Sequence, residues 1–171
     1  RVTVIRTIFD TKKGSSRGWV ITVKLEVSIP IVRLVQQRRQ PDGPVDDLRK
    51  PHGTRYDGQA AIFGHALQEK IGDLKQFMVG SGALGCEFFK LFALTGVAAG
   101  PSGHLYCTDG DVIETGNLSR QFLFRPKDVG NPKATTAAKA AKVMNPSLNI
   151  TAWKEFVGPN TEVLFNDEFW A

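Results

Sequence analysis

The sequence is poor in cysteine and has no long apolar run, and each shortage excludes a class of protein. Cys86 and Cys107 are the only cysteines among 171 residues, and their spacing suits neither a metal site nor a disulfide framework. No metal site is predicted, and a reducing intracellular compartment is expected. No run of about 18 apolar residues occurs, so no transmembrane helix is predicted. Initiator methionine and signal peptide are also lacking, as expected of a fragment or an incomplete gene.

The chain also lacks an even spread of positive charge. The net charge is +5, but residues 1–54 hold 11 Lys and Arg against five Asp and Glu, and the remaining residues are close to neutral. The basic character thus belongs to the N-terminal segment. This segment is either an arm that contacts an acidic partner or a solvated basic surface. Neither a nucleic acid nor a membrane is predicted as a partner.

Composition changes twice along the chain. Residues 1–35 are predicted to be β-structure because apolar and polar side chains alternate from Ile21 to Val27. Residues 36–54 are polar and rich in proline and glycine, as linkers are. The N-terminal segment 1–54 is of unclear origin, and a separate domain is predicted for residues 55–171.

Helices and strands are predicted to alternate within residues 55–171, which indicates an α/β fold with a parallel sheet. The predicted strands are 76–79, His104–Thr108 and 148–153, and the predicted helices are 59–71 (one helix or two short ones), Ala83–Thr95, Lys133–Met144 and the start of another at 161–165. Pro132 is expected at the first position of the Lys133–Met144 helix.

Helical spacing suggests which side chains hold the Ala83–Thr95 helix to the sheet. Leu84, Phe88, Leu91 and Phe92 share one face of that helix, and this face is predicted to be buried. Gly96 follows as a C-cap.

A glycine-rich turn separates the first strand from this helix. Residues 80–85 read G-S-G-A-L-G, which is the G-x-G-x-x-G pattern in its required context. Gly80 permits the tight turn, Gly82 lets a phosphate approach the backbone, and Gly85 lets helix and strand pack closely. The helix N-terminus offers free N–H groups to an anion. By itself the pattern also fits a turn without a ligand.

An acidic residue follows at the distance that nucleotide-binding units require. Asp109 ends the second strand, 24 residues after Gly85, where a carboxylate commonly grips a ribose hydroxyl. Asp111 comes two residues later, either as a ligand or as a loop carboxylate. Up to this point a dinucleotide and a mononucleotide fit equally.

Two cations favour a triphosphate. Arg120 follows the Asp109 loop, and Lys133 lies in the first turn of a helix, where a cation opposes the helix dipole unless an anion is near. Together they are predicted to bind phosphates and to stabilise charge on departing pyrophosphate as catalytic residues. NAD has only a diphosphate bridge, so an NAD site would need two such cations less than a triphosphate site would. Taken singly, each fits a solvated basic side chain.

Five ordered motifs occur in this part of the chain. They are R-Y-D-G-Q at 55–59, G-S-G-A-L-G-C-E at 80–87, T-D-x-D at 108–111, N-L-S-R-Q-F-L-F-R-P at 117–126 and V-G-P-N-T-E at 157–162. Together they resemble the active adenylation domain of ubiquitin-activating enzymes, and the expected fold is a Rossmann-like sheet that is truncated at its C-terminal side. The bacterial sulfur-carrier adenylyltransferases of the ThiF and MoeB type share the core. Residues 1–54 do not resemble the inactive half that precedes this domain in such enzymes.

The resemblance implies a role for each matching residue. Ala83 would contact the nucleotide through its backbone, Asp109 would hold the ribose, Asn117 would line the site, and Arg120 and Lys133 would bind the phosphates. Enzymes of the family use ATP and Mg²⁺ to adenylate the C-terminal carboxylate of ubiquitin or a ubiquitin-like protein.

The other parts of such an enzyme are expected elsewhere. The main Mg²⁺ ligand, the thioester cysteine and the domain that recruits a ubiquitin-conjugating enzyme would lie beyond this chain, with an inactive adenylation half as a further partner. The expected location is the cytoplasm and nucleus. Two alternatives stay open, an NAD(P)-binding oxidoreductase and a non-catalytic half of an activating enzyme.

Overall fold

The computed structural model describes residues 49–170. The predictions for residues 1–48, including the alternating β-pattern and most of the linker, lie outside the described residues. Within residues 49–170, no helix is long and apolar enough to cross a bilayer.

Strands and helices alternate as predicted. The elements are α1 (Asp57–Phe63), α2 (His65–Gly72), β1 (Lys75–Val79), α3 (Ala83–Thr95), β2 (His104–Thr108), α4 (Lys133–Met144), β3 (Ile150–Trp153) and α5 (Asp167–Trp170), with 3₁₀ turns at Thr115–Ser119, Pro126–Asp128 and Pro159–Thr161. The sheet is parallel in the order β1-β2-β3. The predicted α/β fold with a Rossmann-like parallel sheet is therefore confirmed.

One core forms between the sheet and the pair α3 and α4. Alternate side chains of the central strand, Leu105 and Cys107, are fully buried there because successive residues of a strand point to opposite faces. The helix α4 fits closely because it presents small side chains, and Ala134, Ala137 and Ala141 are fully buried. The α3–α4 layer thus rests on one face of the sheet.

The buried face of α3 differs from the prediction. Leu84 is 76% exposed, Phe88 48% and Leu91 49%, so the predicted contact face is largely in solvent. The residues that are buried are Gly85, Cys86, Phe89 and Ala93. Because α3 is apolar on nearly every side, periodicity alone does not select a face. Small residues at 85, 86 and 93 let the helix approach the sheet, and only Phe92 of the predicted set packs against the core.

The structure confirms one of three predictions about where helices begin or end. Gly96 is confirmed as the C-cap of α3, with φ of 82° and its amide bonded to the carbonyl of Phe92. Pro132 is the N-cap of α4 rather than its first helical residue. The helix predicted at 161–165 is absent, because a 3₁₀ turn at Pro159–Thr161 is followed by turn residues and α5 begins only at Asp167.

Aromatic rings cover the opposite face of the sheet. Phe77, Tyr106 and Trp153 each contact rings from the segment around α5 at centroid distances between 5.1 and 5.9 Å. Phe165 is the most deeply buried ring of that segment, at 7% exposure. The candidate site lies at the carboxyl ends of β1 and β2, where the glycine loop and Asp109 follow these strands.

Candidate nucleotide site

The glycine loop turns directly from the end of β1 into α3. Gly80 has φ of 99°, a value that favours glycine, and its amide donates to the carbonyl of Thr108 at 2.8 Å. A Cβ on Gly85 would lie 2.4 Å from the carbonyl oxygen of Gly80. The loop is therefore compact because both positions lack side chains, as the sequence predicted.

The Asp109 carboxylate binds two backbone amides at the carboxyl end of β2. Its Oδ2 accepts the amide of Ser81 at 2.6 Å, and its Oδ1 accepts the amide of Asp111 at 2.9 Å. Asp109 thus ties the glycine loop to the loop that follows β2. Each oxygen keeps a second lone pair, so a ribose hydroxyl could still donate to the same carboxylate.

An ion pair joins this loop to the start of α4. The Nζ atom of Lys133 lies 2.7 Å from Oδ2 of Asp111, and the Lys133 amide donates to the Asp111 carbonyl at 3.1 Å. The Lys133 side chain is 10% exposed and that of Asp111 is 54% exposed. Asp111 therefore relieves the unfavourable position of a cation at a helix N-terminus, and that position by itself does not require a phosphate.

The first turn of α3 faces the site with free donors. Gly82 is the N-cap, no side chain caps the helix, and the Gly82 carbonyl accepts the amide of Cys86 at 2.9 Å. The amides of Ala83 and Leu84 are first-turn donors, which have no partner inside a helix. Such donors suit an anion, and Gly82 leaves the approach open because it has no side chain.

Gln121 is a member of the site that the predicted residue set omits. Its side chain is 4% exposed, and its Nε2 atom lies 3.9 Å from the position of a Cβ on Gly82. Its Oε1 atom is buried without a hydrogen-bond partner among residues 49–170, as is the Oγ atom of Ser81. The sequence offered one clue, since Gln121 directly follows Arg120 in the N-L-S-R-Q motif.

Asn117 lies in the 3₁₀ turn Thr115–Ser119, and Arg120 is the C-cap of that turn, directly before Gln121. Asn117 is 8% exposed, and its Oδ1 accepts the amide of Glu114 at 3.0 Å, so it holds the turn together. Arg120 is exposed, and its Nη1 donates to the carbonyl of Gly116 at 3.1 Å. Gln121 brings this turn beside the glycine loop. No contact within the described part of the chain joins Arg120 to the Asp111–Lys133 pair.

Both cysteines are buried thiols. Burial raises the pKa of Cys86, and burial raises the pKa of Cys107 to about 12. Each is therefore protonated at neutral pH, when a thiol is a poor nucleophile. Across residues 49–170, no group of three or more His, Cys, Asp or Glu side chains is arranged to hold a metal ion.

Comparison with known proteins identifies the family. The ThiF family model matches residues 56–171, which include every element of this site. The chain belongs to the ThiF family. Curated relatives of this ThiF-family chain include ubiquitin-activating enzymes E1 1 of Candida albicans (54% identical) and Schizosaccharomyces pombe (56%), each over 127 residues that cover 73% of the chain and 12% of the relative. Ubiquitin-like modifier-activating enzyme 1 of Rattus norvegicus is 50% identical over 125 residues, with the same coverage.

The chain therefore spans about 12% of the length of the relatives that it matches. Among solved structures, the ThiF-family fold matches tRNA N6-threonylcarbamoyladenosine dehydratase of E. coli in complexes with AMP and with ATP. The TM-score is 0.57 at 26% identity in both, covering 65% of this chain and 43% or 44% of the other. PaaA matches with a TM-score of 0.58 at 24% identity over 80% of this chain and 45% of the other, which shows likeness of fold alone.

Proposed function

We propose that residues 55–171 are the N-terminal part of the ATP-binding domain of an enzyme that adenylates the C-terminal carboxylate of ubiquitin or of a ubiquitin-like protein. The identity of 50–56% to ubiquitin-activating enzymes and the AMP and ATP complexes of a related fold support the proposal. By itself, this part of the domain is expected to bind ATP weakly and to complete no turnover.

One structural observation carries the proposal. Asp109 follows β2 and accepts amides from the glycine loop and from Asp111, and Asp111 pairs with Lys133 at the start of α4. Three chain segments therefore meet at the carboxyl ends of β1 and β2. Nucleotides bind at this edge of open α/β sheets. Lys133 is largely buried at this edge, and it would contribute a charge-assisted hydrogen bond to a phosphate bound there.

Some residues of the site would bind the nucleotide, and others would stabilise charge in the transition state. Asp109 would hold the ribose, and the amides around Gly82 and Ala83 would bind the phosphate next to it. Attack of a carboxylate on the α-phosphate breaks the bond to pyrophosphate, and the negative charge on the leaving group grows. Lys133 and Arg120 would stabilise that charge. Asn117 would act by holding the turn that carries Arg120.

Magnesium would be held mainly by the nucleotide. Mg²⁺ sites of this kind commonly use phosphate oxygens and only one or two carboxylates. The half-exposed Asp111 carboxylate is the donor that this part of the site offers. When bound, the ion would add positive charge beside the phosphates. A further carboxylate ligand is expected outside this chain.

The partners and the location follow from the same proposal. The substrate would be ubiquitin or a ubiquitin-like protein, and the acyl group would pass to a cysteine outside this chain and then to a ubiquitin-conjugating enzyme. An inactive adenylation half would complete the enzyme. Such an enzyme would work in the cytoplasm and nucleus.

Thermal-shift measurements on the 171-residue chain test the nucleotide preference. ATP should raise the melting temperature and NAD⁺ at the same concentration should not, because a ligand stabilises the state that binds it. Lys133→Ala should reduce the ATP shift, whereas Lys139→Ala, on an exposed position of the same helix, should keep it. An equal or larger shift with NAD⁺ would favour the oxidoreductase and overturn the proposal.

A further inference from the structure

A basic groove runs along the outer surface of α4. Its volume is about 600 Å³, and it lies between that helix and the segment 122–132 that leads into it. Its lining contains three cations and one carboxylate, namely Arg125, Lys127, Lys139 and Asp128. The Asp128 carboxylate already accepts the backbone amide of Arg125 at 2.8 Å. No ion pair joins the three cations to a carboxylate within the described residues, so the groove keeps a net positive charge.

Apolar side chains lie beside these cations. Val143 is 83% exposed, and it follows Lys139 by one turn on the same face of α4. Phe122 and Met144 are half-buried in the lining of the groove. Exposed apolar surface with a charged rim is typical of a protein interaction site. The groove therefore suits a segment that carries carboxylates next to short apolar side chains.

Residues 162–168 have this complementary composition. The exposed side chains of the segment are those of Glu162, Val163, Leu164, Asn166, Asp167 and Glu168. Val163 is 90% exposed. The three carboxylates form no ion pair in the part of the chain that the structure describes. Phe165 is only 7% exposed and anchors the segment in the aromatic cluster, so the acidic and apolar side chains around it project into solvent from a fixed position.

The groove and the acidic segment lie on opposite faces of the sheet. The α4 helix packs with α3 against Leu105 and Cys107, whereas Phe165 packs against Phe77 and Trp153 on the other face. The two surfaces therefore do not meet within one copy. The N-terminal segment 1–54 is a poor occupant of the groove, because its 11 Lys and Arg against five Asp and Glu give it the same sign of charge.

We propose that the groove on α4 binds the acidic segment 162–168 of a second copy of this chain. Val163 enters beside Val143, which brings Glu162 to Lys139, one turn earlier on the helix. Because two different surfaces meet, the contact is heterologous, and each bound copy keeps one groove and one segment free. Association therefore continues into a ring or a row of copies and does not stop at a two-fold dimer. The inference does not depend on nucleotide binding.

Sedimentation velocity of the 171-residue chain between about 0.01 and 1 mM tests this inference, because a contact of a few side chains is expected to be weak. The average mass should rise with concentration and exceed that of a dimer at the upper end. Raising NaCl from about 0.05 to 0.5 M should reduce the association, since salt screens exposed charges. Lys139→Glu and Glu162→Lys should each lower the association constant by roughly 10-fold, and the double variant should return to within roughly threefold of the wild type.

Lys70→Glu is the matched control. It reverses an exposed lysine on α2, outside the lining of the groove, and should leave the association unchanged. Val163→Ser should weaken the association without changing the melting temperature, because its side chain is 90% exposed. The charge variants should also melt as the wild type does, since each replaced side chain is exposed.

Three results would overturn the inference and leave the proposed function standing. The wild type could stay monomeric at 1 mM, the upper limit of roughly measurable affinity. The double variant could associate no better than either single variant, which would show that Glu162 and Lys139 do not face each other. A closed dimer that Lys139→Glu does not weaken would place the second copy on another face of the molecule.

Discussion

The ammonium group of Lys133 lies 2.7 Å from a carboxylate oxygen of Asp111, and the backbone amide of Lys133 donates to the carbonyl of the same residue. Because Asp109 accepts the amides of both Asp111 and Ser81, one hydrogen-bonded path runs from the glycine loop to the first residue of α4. The path keeps a lysine in a position that the helix dipole disfavours.

Lys133→Ala should reduce the rate of adenylation in an intact enzyme that contains this domain by roughly 10²-fold to 10³-fold, the loss typical of one charge-stabilising donor. The KM for ATP should change much less, since the donor acts on charge that grows in the transition state. Arg120→Ala should behave similarly, and the two losses should not add fully if both act on one group. Pyrophosphate exchange with ubiquitin present measures the rate, and Lys139→Ala is the control. Near-normal exchange in both single variants would contradict the assignment of Lys133 and Arg120 to the charge that develops on pyrophosphate.

Asp109→Ala should weaken ATP binding and loosen the glycine loop. The substitution leaves the amides of Ser81 and Asp111 without their acceptor. Ser81 is fully buried, so its unsatisfied amide costs about 1–3 kcal/mol, whereas the amide of the exposed Asp111 can bond to water. Asp109→Asn keeps one acceptor oxygen and should lose less stability. Chemical unfolding measures the stability, and titration measures the ATP affinity. An unchanged ATP affinity in a folded Asp109→Ala chain would contradict the ribose assignment.

Gly85→Ala should lower the stability of the fold, whereas Gly82→Ala should lower the affinity for the nucleotide. A Cβ on Gly85 would lie 2.4 Å from the backbone oxygen of Gly80, so Gly85→Ala should destabilise the fold. A Cβ on Gly82 would meet only the Gln121 side chain, at 3.9 Å, so Gly82→Ala should fold normally and lose nucleotide affinity because a methyl group enters the phosphate approach. Thermal melts and ATP titration of both variants separate these effects. Equal ATP binding by Gly82→Ala and the wild type would place the phosphate elsewhere.

Neighbouring phenylalanines on α3 should differ in their contribution to stability. Phe89 is fully buried, and Phe89→Ala should lower the free energy of unfolding by about 3–5 kcal/mol. Phe88 is 48% exposed, and Phe88→Ala should cost below about 1 kcal/mol. Urea unfolding of both variants measures the difference. A larger loss of unfolding free energy for Phe88→Ala than for Phe89→Ala would support the buried helix face that was predicted from the sequence.

The Cys107 thiol should make stability fall in alkaline solution. Burial raises its pKa from 9.0 to about 12, so between these values the unfolded chain has lost a proton that the folded chain keeps. Stability from this group is present below pH 9 and is lost as the pH rises towards 12, with a slope on the order of 1 kcal/mol per pH unit. Cys107→Ala should flatten the profile of unfolding free energy against pH. A profile identical to the wild type would show that the thiol ionises equally in both states.

Local sequence determined the elements and the loop of this protein. Gly80 and Gly85 allow one compact turn, Gly96 ends α3, and the alternation of strands with helices leads to a parallel sheet because parallel neighbours need a crossover between them. The positions of Asp109 and Lys133 relative to these elements also follow from the sequence, since each lies at an end of a strand or helix. These features depend on residues that are close along the chain.

Tertiary structure alone decided which side of α3 is buried and what partners the charged groups take. The α3 helix is apolar on most sides, so the choice of Phe89 over Phe88 depends on how closely the backbone approaches the sheet, and small neighbours at 85, 86 and 93 set that distance. Asp111 and Lys133 are 22 residues apart, and Gln121 reaches Gly82 across a loop, so no local pattern encodes either contact. Both depend on the sheet, which brings the ends of separate segments to one edge.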